Sequence, residues 1–225
     1  MFIGHFAPAF AAAAISPRAP KLATLFVAGQ LVDWAFFAFA FVGIERMRVE
    51  PGATVMVPFD LYHMPYTHSL LGNAIFALLF GGLVLWARRD LLAAILAALV
   101  VLSHWLLDWL THRPDLSLMG GDDFHGLGLW NQPMIAIPLE LGITLGAFYW
   151  YMRKTNGPVG PPAILITVLL AFQAVNWFGP PPQAAGPMLY GQALLAFLFA
   201  TLFAAWVGTT RRHRRTVLFL SGPRR

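Results

Sequence analysis

Six runs of seventeen or more apolar residues constrain the fold of this chain more than any other feature. A membrane-spanning helix needs about 20 predominantly apolar residues. Only 11% of the residues are charged, against about 25% in a soluble domain. The pattern predicts an all-α polytopic bundle over residues 1–210 and a basic tail at 211–225. The six predicted spans are 22–44, 68–87, 91–111, 134–152, 163–179 and 189–210, and a short first helix at 2–16 is expected to tilt in partway or lie re-entrant.

The distribution of Lys and Arg predicts the orientation. One set of loops, together with the tail, carries twelve of these residues, and the opposite set carries only Arg46, Arg48 and Arg113. Basic loops stay in the cytoplasm, so we expect the amino terminus outside and the carboxyl terminus inside. The net charge of +5 is then a signal of membrane topology, and we predict no nucleic-acid partner. The tail is expected to act as a stop-transfer signal, with contact to anionic lipid as the alternative.

An ionisable pair lies within one of these apolar runs. His104 and Asp108 are four residues apart and share one helix face. Ionisable groups at membrane depth are costly and usually mark a functional site. The chain has no cysteine, so a metal there would be held by nitrogen and oxygen donors. Such donors suit Zn²⁺, with Mn²⁺ or Fe²⁺ as alternatives.

Other polar residues fall on the same predicted side of the membrane. They include six of the seven histidines, and Glu140 lies about 9 Å along its helix by the rise per residue. Thr67 is a candidate N-cap, which would put His68 in the first turn of its helix. We expect Arg113-Pro114 to end the helix near His112, so His112 is interpreted as a cap. The candidate metal ligands are His5, Asp33, His63, His68, His104 and Asp108, and Glu140 is the candidate general base.

Each of these residues also has a structural interpretation. A single buried His or Asp can hold helices together through a hydrogen bond, and Glu140 could be a ligand or a partner of Arg113. The acidic residues and the histidine of the loop after the run 91–111 are interpreted as solvated. They are Asp115, Asp122, Asp123 and His125. It is the convergence of many such residues that favours a metal site.

The ordered motifs also support a family resemblance. They are Gly4-His5, Leu31-Val32-Asp33-Trp34, the stretch from His63 to Ser69, and Ser103-His104 followed by Asp108. The chain resembles a bacterial inner-membrane family described as metal-dependent hydrolases, whose best-known members were described as LexA-binding. It departs from the family pattern at Met64, where relatives commonly have Arg. The His-x3-Asp spacing is also similar to that of zinc-dependent phospholipases C, although that likeness rests on one helix.

The resemblance and the residues together lead to three functional hypotheses. The first is a metal-dependent hydrolase in the bacterial inner membrane, acting on a lipid-linked ester or phosphoester at the extracytoplasmic face. The second is a transporter of a metal ion or proton. The third is a structural membrane subunit whose polar cluster only holds the helices together. If the protein is a hydrolase, a divalent ion would lower the pKa of a bound water. If it is a transporter, a row of polar residues would continue across the membrane. If it is a structural subunit, no metal would bind.

Overall fold

A computed structural model describes residues 1–214 and shows an all-α bundle. Six of its helices are long and apolar enough to cross a membrane, as predicted. The helix around His104 begins and ends where the apolar run predicts. The described helices are α1 Ala7–Ile15, α2 Leu22–Phe41, α3 Leu70–Arg88, α4 Leu91–Thr111, α5 Pro133–Lys154, α6 Gly160–Phe178 and α7 Pro187–Thr210, with a 3-10 turn at Ile3–Phe6 before α1.

The short first helix lies inside the bundle. Its faces pack on α2, α4 and α5, and its alanines are almost all buried. Small side chains let neighbouring helices approach closely, which explains how a helix of nine residues fills the centre. A short segment at membrane depth can end there because protein surrounds it. The 3-10 turn before α1 therefore places His5 among the longer helices.

Short antiparallel hairpins cap one end of the bundle, which we call the hairpin end. The first is β1 Arg46–Val49 with β2 Phe59–His63, and the second is β3 Leu116–Ser117 with β4 Phe124–His125. At the opposite end, the basic end, β5 Thr155–Asn156 pairs with β6 Arg212–His213. Part of the predicted tail therefore docks on the bundle, and residues 215–225 of that tail lie outside the described residues.

The bundle core is apolar towards the basic end. Phe10 packs edge-to-face on Phe26 with ring centroids 5.2 Å apart, and Phe26 stacks on Phe6 at 4.4 Å. Leu165 and Leu169 of α6 are completely buried beside them. Large side chains such as Leu78 remain exposed on the outer helix faces, as expected of surfaces that contact lipid.

The start of α3 differs from the sequence-based expectation. Ser69 is the N-cap of α3, because its hydroxyl accepts a hydrogen bond from the Gly72 amide at 3.0 Å. The prediction that Thr67 caps this helix was therefore wrong, and His68 precedes the helix instead of lying in its first turn. Because the hydroxyl of Thr67 does not cap the helix, it is available to contact His68.

Candidate metal centre

Helix α4 contributes two of the site residues. His104 and Asp108 lie one turn apart on its inner face and are 1% and 2% exposed. Nε2 of His104 is 3.0 Å from Oδ2 of Asp108, but the contact lacks the alignment of a hydrogen bond, and this nitrogen has no hydrogen-bond partner among the described residues. The two atoms are close without bonding to each other.

Asp33 from α2 and His68 complete a compact group with this pair. Oδ1 of Asp33 lies 3.4 Å from Nε2 of His68 and 3.6 Å from Nε2 of His104. Oδ2 of Asp108 lies 3.8 Å from Nε2 of His68. In a tetrahedral zinc site with bonds of about 2.0–2.2 Å, the ligand atoms are about 3.3–3.6 Å apart. The observed separations are close to those that one shared ion requires.

The backbone of α2 orients the His104 ring. Nδ1 of His104 lies 2.9 Å from the carbonyl oxygen of Gly29. A carbonyl only accepts, so Nδ1 carries a proton and Nε2 is the ring atom that faces the carboxylates. Gly29 is also required for packing, because a Cβ there would collide with the carbonyl oxygen of His5. Outer-shell contacts of this kind fix the ring of a metal-binding histidine.

A buried relay orients His68 in the same way. The Thr67 hydroxyl donates to Oε2 of Glu45 at 2.6 Å, and its oxygen lies 2.8 Å from Nδ1 of His68. Oε1 of Glu45 accepts the amides of Tyr66 and Thr67, each at 2.9 Å. The proton of His68 is therefore on Nδ1, and Nε2 has a free lone pair. Sequence reasoning missed Glu45, a fully buried carboxylate just beyond α2.

His112 takes part in the site, although the sequence suggested only a cap. It is the C-cap residue of α4, as predicted, but its ring turns back into the cluster. Nδ1 lies 2.9 Å from Oδ1 of Asp115, and Nε2 lies 3.5 Å from Oδ1 of Asp108. Asp115 is only 11% exposed, so the prediction that it is merely solvated was wrong.

The 3-10 turn delivers His5 to the other face of Asp108. Nε2 of His5 is 3.1 Å from Oδ1 of Asp108, and the ring stacks on that of His104 with centroids 3.7 Å apart. Glu140 holds the turn, because its Oε1 accepts the amides of Phe2 and Gly4 at 2.7 and 3.0 Å. Gln173 accepts the Ile3 amide at 3.2 Å and lies 3.4 Å from Oε2 of Glu140. These contacts show Glu140 anchoring the turn; its predicted role as a general base stays a prediction.

The buried charges are not balanced by Lys or Arg. Among residues 1–214, no Lys or Arg side chain pairs with Asp33 or Asp108, whose partners are imidazoles and the Met1 nitrogen, 2.6 Å from Oδ1 of Asp108. The amino-terminal ammonium offsets the charge of Asp108, whereas Asp33 has only imidazoles as partners among these residues, and an unpaired buried charge costs roughly several kcal/mol. The close stacking of His5 and His104 disfavours a positive charge on both rings. The cluster therefore favours a bound cation.

The structure does not bring His63 into this cluster. His63 is the last residue of β2, where it pairs with Arg46 across the hairpin, and its side chain is exposed. It lines an outer cavity of about 410 Å³ together with Arg113 and Asp115. The predicted ligand therefore lies on the hairpin cap, whereas His5, His68 and His104 lie around Asp108, and Asp33 lies beside His68 and His104.

Three comparisons bear on what the chain is similar to. No protein-family model, no curated protein and no solved structure matches it. The family resemblance of the sequence motifs therefore stays a prediction. What can be said of the site rests on the residues themselves.

Proposed function

We propose that this protein is a membrane-embedded metal-dependent hydrolase. One observation carries the proposal. Three imidazoles with Nδ1 bound to an acceptor turn Nε2 towards one buried and one partly buried carboxylate, neither of which has a Lys or Arg partner among the described residues. Zinc sites with His and carboxylate ligands have this organisation. The proposed ligands of the first ion are Asp33, His68, His104 and Asp108, and Zn²⁺ is the preferred ion, with Mn²⁺ and Fe²⁺ as alternatives.

The chemistry follows from the donor set. A divalent ion in such a site polarises an ester or phosphoester oxygen and lowers the pKa of a bound water. Hydrolysis adds the water oxygen to the acyl or phosphoryl group, breaks the bond to the alcohol oxygen and gives the alcohol a proton. The relay from Glu45 through Thr67 keeps Nε2 of His68 free for binding. In this proposal Glu140 positions His5, because both of its oxygens already have polar neighbours.

The exposure of the ligands supports access from one side. The side chain of Asp33 is 17% exposed, whereas those of His68, His104 and Asp108 are at most 4% exposed. Asp33 lies in a predicted membrane span, so the open side of the site is on α2. A substrate with an apolar chain in the bilayer fits this placement. We therefore propose a lipid-borne ester or phosphoester as substrate, at the extracytoplasmic face of a bacterial inner membrane.

The apolar core disfavours the transport alternative. An ion pathway would need polar groups beyond the cluster, towards the basic end. The described core between the cluster and that end is filled by aromatic and aliphatic side chains, including Phe10, Phe26, Leu165 and Val207. Desolvated ions do not cross such a layer at low cost. The polar cluster is therefore better suited to binding a substrate than to forming part of a channel.

The proposal is tested by hydrolysis in detergent and in proteoliposomes. The probes are p-nitrophenyl phosphate, p-nitrophenyl butyrate and a fluorescent short-chain phospholipid. Wild type is compared with His104→Ala and with His125→Ala, whose imidazole lies in an exposed hairpin. We expect metal-dependent cleavage of at least one probe by wild type and His125→Ala, and a loss of at least about 100-fold in His104→Ala, since even outer-shell changes cost about 10–100-fold.

Two results would count against the proposal. Equal cleavage by wild type and His104→Ala would show that the cluster does not carry the activity. Flux of Zn²⁺ or protons through wild-type proteoliposomes, without cleavage of any probe, would favour the transporter.

A further inference from the structure

Asp108 presents its two oxygens to two different groups of residues. Oδ2 faces His104 and His68, at 3.0 and 3.8 Å from their Nε2 atoms. Oδ1 faces His5 and His112, at 3.1 and 3.5 Å from their Nε2 atoms. The carboxylate is 2% exposed, so imidazole nitrogens surround it on both sides. Four histidines are more than one ion shared with Asp33 and Asp108 would use in a tetrahedral site.

The donors can be divided between two ions so that each donor atom binds a single ion. His104 lies within reach of both His5 and His68, but the lone pair of one imidazole nitrogen binds a single ion. Its distances to Asp33 and Oδ2 of Asp108 assign it to the first ion. A carboxylate has two oxygens and can bind one ion with each. Asp108 is therefore the residue that can bridge, and His5 and His112 remain for a second ion.

The second group, His5 and His112, has features expected of a metal site. His112 is 3% exposed, and Asp115 fixes its ring through Nδ1, so Nε2 presents its lone pair to Asp108. Nε2 of His5, whose side chain is completely buried, faces the same oxygen of Asp108. The space beside Oδ1 already accommodates a positive charge, because the Met1 nitrogen lies there, 3.3 Å from Oγ1 of Thr111. A divalent ion would displace that nitrogen or take it as a ligand.

We propose that Asp108 bridges two divalent ions, the second of which is held by Oδ1 of Asp108, His5 and His112. This inference rests on the proposed function and extends its metal centre. Three protein donors leave a fourth tetrahedral position open, as in catalytic zinc sites. That position is available to water or to a substrate oxygen. Centres of this kind hold two ions about 3.5–4 Å apart and clamp a transferring phosphoryl group from both sides, which favours a phosphoester substrate.

The test counts ions and probes their coupling in the full chain purified in detergent. Wild type, His112→Ala and His63→Ala are loaded with Mn²⁺, washed, and assayed for manganese per chain. Electron paramagnetic resonance is then recorded on the same samples. We expect two ions per chain with an exchange-coupled spectrum in wild type and His63→Ala. His112→Ala should retain one ion per chain and show the spectrum of isolated Mn²⁺.

The outcomes separate this inference from the proposed function. One isolated ion per chain in wild type, unchanged in His112→Ala, would overturn the second site while leaving the first intact. No bound ion in wild type would overturn both. Because His112 ends α4 and its replacement could unfold the chain, Asp115→Asn serves as a second variant. This variant keeps the imidazole of His112. The affinity of the variant protein for the second Mn²⁺ should fall about 10–100-fold without loss of the first ion. An unchanged affinity would argue against the second site.

Discussion

The acidic residues at the two ends of helix α4 have opposite surroundings. At the basic end, Asp90 caps the helix by accepting the Ala93 amide and forms two hydrogen bonds with the Arg18 guanidinium, at 2.8 and 2.9 Å. Those bonds lower the pKa of Asp90 to about 2. Towards the hairpin end, Asp108 is buried among imidazoles. Helix α4 thus has an exposed ion pair at one end and a buried cluster of imidazoles and carboxylates at the other.

This difference separates groups that hold the fold from groups that await a ligand. At the basic end, cations meet carboxylates or backbone carbonyls, as where Arg211 donates to the carbonyls of Thr155, Gly157 and Pro158. At the hairpin end, imidazole Nε2 atoms face Asp33 and Asp108, and the one formal cation beside them in the described chain is the amino-terminal ammonium on Asp108. Burying a carboxylate without a cation of its own is unfavourable. We therefore expect metal to stabilise the cluster and to leave the basic end unaffected.

Removal of metal should produce the largest effect. Adding a chelator to the metal-loaded wild type should destabilise it by about 4 kcal/mol, relative to free metal at about 1,000 times its dissociation constant. Thermal unfolding followed by circular dichroism with and without the chelator measures this shift. Asp108→Asn should show no such shift. If the chelator destabilised both proteins equally, the two ends of α4 would not differ in their dependence on metal.

Arg211→Ala should produce the next largest effect, and only on stability. The guanidinium satisfies three backbone carbonyls and the hydroxyl of Thr155. Loss of hydrogen bonds from a charged group costs about 1.5–3 kcal/mol. Thermal unfolding should show a loss in this range while the bound metal per chain stays at the wild-type value. Lys154→Ala, which removes an exposed cation from the same end, serves as the control.

Glu45→Gln should weaken metal binding more than it weakens the fold. A neutral amide can turn its NH₂ group towards Thr67 and disturb the proton arrangement that holds His68. Competition with a chromogenic chelator should show metal affinity lowered by about 10–100-fold. Glu50→Gln changes an exposed carboxylate on Arg48 and should leave the affinity unchanged. Unchanged affinity in Glu45→Gln would show that the relay does not orient a ligand.

Arg18→Ala should produce the smallest effect. The pair with Asp90 is exposed to solvent, and exposed ion pairs contribute little to stability. The Asp90 pKa is depressed in the folded protein, so any stabilisation is present above the ordinary Asp pKa and is lost as the pH falls through about 2. Unfolding midpoints of wild type and variant should nearly coincide at pH 7 and converge further in acid. A large gap at pH 7, or one that grew in acid, would contradict this assignment.

The sequence predicted the spans and the central pair of site residues for physical reasons. Apolar runs report membrane helices directly, and the spacing of His104 and Asp108 places them on one face. Contacts that depend on how loops return could not be predicted. Glu45 follows α2 and acquires a role only because residues 66 and 67 fold back onto it, and the ring of His112 returns to the cluster after its helix ends. Glu140 was predicted as a base because no sequence pattern shows that the amides of Phe2 and Gly4 bind it.

The most direct test of the central claim is the metal content of the protein purified in detergent, wild type against Asp108→Asn. Both proteins are stripped with chelator, reconstituted with Zn²⁺ and desalted before elemental analysis. We expect stoichiometric zinc in wild type and no more than traces in Asp108→Asn, with Asp90→Asn as a control that matches wild type. Wild type without bound zinc or manganese after reconstitution, or Asp108→Asn with as much metal as wild type, would contradict it.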